Sequence, residues 1–196
     1  MTRVKTGSSP RALPAVFFDR DGVINISPGP GRYVESPEEF HLIPEFPQVL
    51  RIVLTLGYEA VVVTNQRGIA LGRMSIESLN AIHGKMKDLL AREGLAFRDI
   101  QTCLSGDDSD SRRKPNPGML LEAARKFGLD LPRSWMIGDS ETDIEAGQRA
   151  GCRTIRICTE ESETKATVRV RNLAELTEYV QTRFLPAEDF RNPKGE

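Results

Sequence analysis

The sequence predicts an α/β fold, a doubly wound parallel sheet with no large cap domain. Three observations carry that expectation. Short, mostly apolar runs at 16–18, 58–63 and 135–138 read as strands buried on both faces. Stretches with apolar residues at helical spacing alternate with such runs, strand then helix, five times along the chain. No repeat, low-complexity tract or linker breaks the alternation, and 196 residues suffice for one domain with a sizeable core. The domain is expected over 15–182, after a disordered lead-in over 1–14 and before a loosely held tail over 183–196.

The first strand runs into Asp19, Asp21 and Gly22, and an irregular loop follows over 25–36. A helix is expected over 44–56, because Phe46, Val49, Leu50, Val53 and Leu54 recur at helical spacing and Gly57 closes it. The second strand, 58–63, ends in Thr64, Asn65 and Gln66. Ser75 N-caps the next helix, whose inner face is Ile76, Leu79, Ile82, Met86, Leu89 and Leu90. The third strand, 97–104, is less apolar and belongs nearer an edge, and a loop rich in Ser and Asp follows it. Asn116 suits an N-cap and Pro117 a first helical residue, with Met119, Leu120, Ala123, Ala124 and Phe127 as the buried stripe. The fourth strand runs into Asp139 before a helix over 140–150 closed by Gly151. A fifth strand at 152–158, a charged loop, a short strand at 167–170 and a helix from 172 to about 182 complete the chain.

Composition excludes several functions. A formal net charge of -1 offers no global field for nucleic acid or an anionic membrane surface. No apolar run approaches the ~20 residues of a membrane span. The first fourteen residues carry Arg3, Lys5 and Arg11 but no apolar core, so they are not a secretory signal. Three cysteines, an odd count, favour reduced thiols and a cytoplasmic location. His41 and His83 have no neighbouring Cys or His, so no zinc site is expected from them.

Polar groups of distinct type collect at the strand ends. They are Asp19 and Asp21, Thr64 and Asn65, Arg113 and Lys114 across a loop, and Asp139 with Asp143. Each also has a bland reading. Asp-x-Asp-Gly suits a solvated turn, Thr64-Asn65-Gln66 a plain turn, Lys114 a loop cation, and the last two aspartates a helix N-terminus. In a parallel sheet, however, these ends share one edge and can converge. Carboxylates, a hydroxyl, an amide and two cations together suit Mg²⁺ with a phosphoryl group.

The stretches Phe18-Asp19-Arg20-Asp21-Gly22-Val23-Ile24-Asn25, Val63-Thr64-Asn65-Gln66-Arg67-Gly68-Ile69-Ala70, Arg112-Arg113-Lys114-Pro115-Asn116-Pro117-Gly118-Met119 and Ile137-Gly138-Asp139-Ser140-Glu141-Thr142-Asp143 resemble the four motifs of the haloacid dehalogenase (HAD) superfamily. More narrowly they resemble its subgroup of D-glycero-D-manno-heptose 1,7-bisphosphate phosphatases and histidinol phosphatases. The resemblance implies a Rossmann-like core and hydrolysis of a small phosphorylated metabolite. A heptose bisphosphate is the first expectation, with histidinol phosphate or another sugar phosphate as the alternative. It implies Asp19 as nucleophile and Asp21 as general acid and base. It further implies Mg²⁺ on Asp19, the Asp21 backbone carbonyl and Asp139. Thr64 and Lys114 would grip the phosphoryl group, Asn65 and Arg113 would contact substrate or phosphate, and Asp143 would support the site from behind. A monomer is implied as well. The subgroup's zinc-binding loop is not matched. Cys103 stands near its first position, but 104–112 holds no His and no further Cys, so no zinc is expected. No sizeable insertion follows Asn25 or Leu104, so the site should be open, with specificity set by the loops at 26–36, 66–74 and 105–113. Arg67, Arg73 and Arg113 lie on or beside those loops and suit a second anionic group.

Overall fold

The computed structural model describes residues 12–158 and 163–189. Its strands are β1 (Ala15–Phe18), β2 (Glu59–Asn65), β3 (Asp99–Cys103), β4 (Trp135–Gly138), β5 (Arg153–Ile157) and β6 (Val168–Val170). The helices between and after them are α1 (Phe46–Thr55), α2 (Ile76–Ala91), α3 (Gly118–Phe127), α4 (Glu141–Ala150) and α5 (Leu173–Arg183). All six strands are parallel, in the order β3-β2-β1-β4-β5-β6. The less apolar β3 is an edge strand, as its composition predicts.

Strand pleating divides the interior into two cores. Val16 and Phe18 face a core shared with Val49, Leu50, Ile82, Met86, Leu176 and Val180 of α1, α2 and α5. Ala15 and Phe17 face the other, with Met119, Leu120, Ala123 and Ala146 of α3 and α4. Alternate residues of one strand thus serve opposite helix layers, which is why the run has no polar position. β1 is central and the chain leaves it in both directions, first to β2 and β3, then back to β4. The crevice at that reversal, at the carboxyl ends of β1 and β4, is where such sheets bind ligands.

Several boundaries differ from the sequence reading. β2 extends to Asn65, so Thr64 and Asn65 are strand residues and not part of the turn after it. α1 starts at Phe46, two residues later than the periodicity suggests. Asn116 does not cap α3; Pro117 occupies that position, and the Asn116 amide instead donates to the Asp108 and Asp110 carbonyls. A bend in the loop used the side chain that the helix was expected to use. The loosely held tail does not describe residues 183–189. Phe184 is buried and stacks on Trp135 at 4.8 Å between ring centroids, and the Ala187 amide donates to the Leu56 carbonyl at 2.7 Å. Of the lead-in, Leu13 pairs with Leu129, and the Ala12 carbonyl accepts from Arg133 at 3.1 Å. Residues 1–11, 159–162 and 190–196 lie outside the described residues, and with them most of both terminal expectations. Among the described residues no helix is long and apolar enough to cross a membrane.

Candidate active site

Lys114 is the hub of the crevice. Its Nζ donates to Asp19 Oδ1 at 2.7 Å and to the Val63 carbonyl at 2.8 Å, and pairs with Asp143 Oδ1 at 2.7 Å. The side chain is 2% exposed, so its charge has little water and depends on those carboxylates. Burial disfavours the charge, but Asp143 and Asp19 outweigh it and hold the amine above the usual lysine range. Asn65 places it: the amide donates to the Lys114 carbonyl at 3.0 Å and accepts from the Lys114 N–H at 3.1 Å. Both polar ends of Asn65 thus engage the Lys114 backbone, and one Nδ2 hydrogen remains for the cavity that Asn65 lines.

Asp19 follows β1, and its N–H donates to the Ile137 carbonyl of β4 at 2.9 Å. That bond ties the first aspartate to the strand that delivers Asp139. Asp19, Asp139 and Asp143 each bring a carboxylate oxygen within 4.8 Å of the others. Burial, partly opposed by Lys114 and reinforced by the neighbouring aspartates, pushes Asp19 up to about 7. Burial and Asp143 push Asp139 up to about 6. One lysine serves three clustered carboxylates, and both values reflect burial first and then the local shortage of positive charge. A hard divalent cation would relieve it, since carboxylate oxygens are the donors Mg²⁺ prefers. Gly22 sits against this cluster with φ +87°, and a Cβ there would lie 2.1 Å from Asp139 Oδ2. Only glycine fits both the backbone angle and the space.

Asp143 also accepts from the Ser140 N–H at 3.1 Å and the Ser140 hydroxyl at 2.7 Å through Oδ2. One carboxylate thus organises the start of α4 and holds Lys114. Thr64 is buried, and its hydroxyl oxygen accepts from Gln66 Nε2 at 2.7 Å, which leaves its proton for a ligand.

A cavity of about 220 Å³ opens over this floor. Asp19, Asp21, Thr64, Asn65, Lys114 and Asp139 line it from below, and Ser27, Pro28, Arg32 and Tyr33 from the loop after β1. A larger neighbouring cavity of about 440 Å³ shares that loop and reaches Arg73. Of the predicted set, Arg113 is the exception. Its Nε donates to Asp108 Oδ1 at 2.8 Å and its Nη1 to the Ser105 carbonyl at 3.3 Å, and it does not line the cavity. It fastens the loop before α3. Arg67 does not line either cavity. Sequence reading gave no role to Arg20, Asn25 or Gln66. All three donate to the Asp21 carboxylate: Arg20 Nη2 at 2.8 Å, Asn25 Nδ2 at 2.9 Å and Gln66 Nε2 at 3.3 Å. An arginine set between two aspartates was the available signal for the first of them.

The HAD-hydrolase-like family model matches residues 111–181. A D-glycero-beta-D-manno-heptose-1,7-bisphosphate 7-phosphatase of Rhodopseudomonas palustris is 38% identical over 154 residues, 74% of this chain and 83% of the relative. The chain belongs to the HAD superfamily of phosphatases. The like-named protein of Photorhabdus laumondii is 34% identical over 185 residues, covering 87% of this chain and 97% of its own length. The D,D-heptose 1,7-bisphosphate phosphatase of Bordetella bronchiseptica, crystallised with magnesium and phosphate, superposes with a TM-score of 0.77. It is 32% identical, and the match covers 86% of this chain and 98% of that one. The parallel sheet, the uncapped crevice and the phosphatase class expected from the four motifs all agree with these relatives.

Proposed function

We propose that this phosphatase hydrolyses a small phosphorylated sugar, D-glycero-D-manno-heptose 1,7-bisphosphate first, through a phosphoryl group carried on Asp19. The observation that carries the proposal is the Asp19–Lys114–Asp143 arrangement at the floor of an open cavity, with Thr64 and Asp139 beside it. The heptose bisphosphate is the choice because relatives at 34% and 38% identity carry that name.

The chain's own groups divide the work. An Asp19 carboxylate oxygen attacks phosphorus, and the ester oxygen leaves with a proton from Asp21. Asp21 then takes a proton from the water that cleaves the aspartyl-phosphate, which restores both carboxyls. Lys114 and the Thr64 hydroxyl hold the non-bridging oxygens, and the Lys114 charge grows in value as negative charge shifts onto them. Mg²⁺ would be held by Asp19, Asp139 and the Asp21 backbone carbonyl, and when bound supplies positive charge between two anions. Asn65 places Lys114 and, from the cavity wall, has a second amide hydrogen to offer the substrate. The proposal includes no structural zinc, because Cys103 has no His or Cys beside it in 104–112. It includes a cytoplasmic monomer acting on a free metabolite.

The test is phosphate release from a panel of phosphate esters with Mg²⁺, and with EDTA as control. The panel holds the heptose bisphosphate in both anomeric forms, histidinol phosphate and common hexose phosphates. The heptose bisphosphate should give the highest kcat/KM, and EDTA should abolish release. A preference for histidinol phosphate would overturn the substrate, and release undiminished in EDTA would overturn the metal.

A further inference from the structure

We infer that Arg20, helped by Asn25 and Gln66, is a positioning residue that fixes the Asp21 carboxylate for proton transfer. The inference rests on the reading of Asp21 as the acid and base given above. Arg20 is fully buried, while the Asp21 side chain is 26% exposed and lines the cavity. The arginine therefore stands behind the carboxylate, on the side away from substrate. Its Nε donates to Asp21 Oδ1 at 3.2 Å, and its Nη2 donates to Oδ1 at 3.0 Å and to Oδ2 at 2.8 Å. That forked grip fixes the plane of the carboxylate as well as its position, which a lysine cannot do. Asn25 adds a donor to Oδ1 and Gln66 one to Oδ2, so both oxygens are held.

A second observation separates this from an ordinary structural ion pair. The buried side-chain polar atoms without a hydrogen-bond partner among the described residues are Arg20 Nη1, Asn25 Oδ1, Gln66 Oε1 and His83 Nε2. Three of the four belong to the residues that hold Asp21. The fourth belongs to His83, which Arg20 helps to keep neutral: burial and then the Arg20 charge lower it to about 4. Buried polar networks that serve stability satisfy their members. Here all three residues converge donors on Asp21, while the Asn25 amide also holds the Ile26 carbonyl at 2.9 Å and the Gln66 amide the Thr64 hydroxyl. The network is arranged around one carboxylate, with donors from three separate positions of the chain meeting on its two oxygens. Gln66 extends it across the crevice, because the same Nε2 donates to Thr64 Oγ1 at 2.7 Å. The proton-transfer carboxylate and the phosphate-holding hydroxyl are thus set relative to one another through one amide.

The experiment compares leaving groups. Nitrophenolate departs without a proton, whereas a sugar alkoxide needs one from Asp21. Wild type, Asp21→Asn, Arg20→Gln and Arg20→Lys are assayed with Mg²⁺. The readouts are the burst of nitrophenolate from 4-nitrophenyl phosphate and kcat and KM for the alkyl phosphate turned over fastest in the panel. Asp21→Asn defines the signature of a lost acid: alkyl kcat collapses while the burst largely survives. Both Arg20 variants should reproduce it in weaker form, with alkyl kcat down about 10²-fold, KM nearly unchanged and the burst retained. Equal loss with both esters, or wild-type kcat in Arg20→Lys, would overturn the inference. Should Asp21→Asn itself show no leaving-group dependence, the reading of Asp21 fails and the inference falls with it. If the Arg20 variants do not fold, Gln66→Met carries the test. It loosens Asp21 and Thr64 together, so it should lower the alkyl rate more than the burst, and an alkyl loss no larger than the burst loss would contradict the inference.

Discussion

Two buried cation–carboxylate groups lie at the end of β1, and they are built to opposite rules. Around Lys114, three carboxylates cluster near one ammonium that pairs with two of them. Around Arg20, one guanidinium faces one carboxylate. The first group is buried and crowded with carboxylates, so burial first, and the neighbouring aspartates after it, push two of its acids up, Asp19 to about 7 and Asp139 to about 6. The second is balanced in charge and saturated in contacts to Asp21. Unsatisfied charge attracts a ligand, whereas satisfied charge fixes a geometry. The residue types follow that division. A compact ammonium suits a site that must also meet metal and phosphate, and a forked guanidinium suits one carboxylate held in one plane. Asp19 and Asp21 stand one residue apart, yet each belongs to a different group.

Substitutions that break one group and spare the other sharpen the contrast. The largest effect is expected for Asp19→Asn, which removes the nucleophile. Turnover should fall about 10⁴-fold or more, the scale on which loss of a covalent nucleophile acts, with circular dichroism unchanged. Next is Lys114→Met, which leaves Asp19 and Asp143 buried without a cation. Unfolding in denaturant should show a loss of about 3–5 kcal/mol in EDTA, part of it recovered by Mg²⁺. Equal loss with and without Mg²⁺ would mean that the lysine, and no metal, balances this group. Gly22→Ala should follow, because the new methyl collides with Asp139 and the backbone angle is strained. Mg²⁺ affinity, read by calorimetry, should fall about 10-fold or more.

The smallest effect is a pH dependence of Mg²⁺ stabilisation. With folded values of about 7 and 6 against 3.8 in the unfolded chain, Asp19 and Asp139 retain protons on folding through mildly acidic pH. The native state then binds more protons than the unfolded state, so their contribution to stability falls as pH rises from about 4 towards 7. Mg²⁺ must displace those protons at low pH and has none to displace above the folded values. The shift in Tm on adding Mg²⁺ should therefore grow between pH 5 and pH 8, by an amount set by metal concentration over Kd. A pH-independent shift would place the ion away from these two carboxylates.

The sheet was legible because strand and helix periods differ and because each strand of the interior is apolar on both faces, as Val16, Phe17 and Phe18 are. The site was legible in its charges, since a parallel sheet gathers strand ends wherever they fall in sequence. What the sequence hid was which partner each polar side chain chooses. Asn65 reads as a ligand contact, and its hold on the Lys114 backbone was not legible. Asn116 reads as a helix cap but ties the loop before α3. Arg113 reads as a phosphate contact but closes on Asp108. Amide and guanidinium groups have several donors, and tertiary neighbours decide among them. Phe184 was missed for a related reason: a lone aromatic near a terminus has no period, and its partner Trp135 is remote in sequence.

The central claim is that the charge-deficient group delivers a phosphoryl group onto Asp19 while the balanced group moves the proton. Rapid acid quench of the Mg²⁺-loaded enzyme during turnover of a phosphate-labelled ester tests it most directly. Label should appear transiently on the protein, map to the peptide carrying Asp19, and vanish in Asp19→Asn. Turnover with no protein-bound label, or label carried by another residue, would contradict the account.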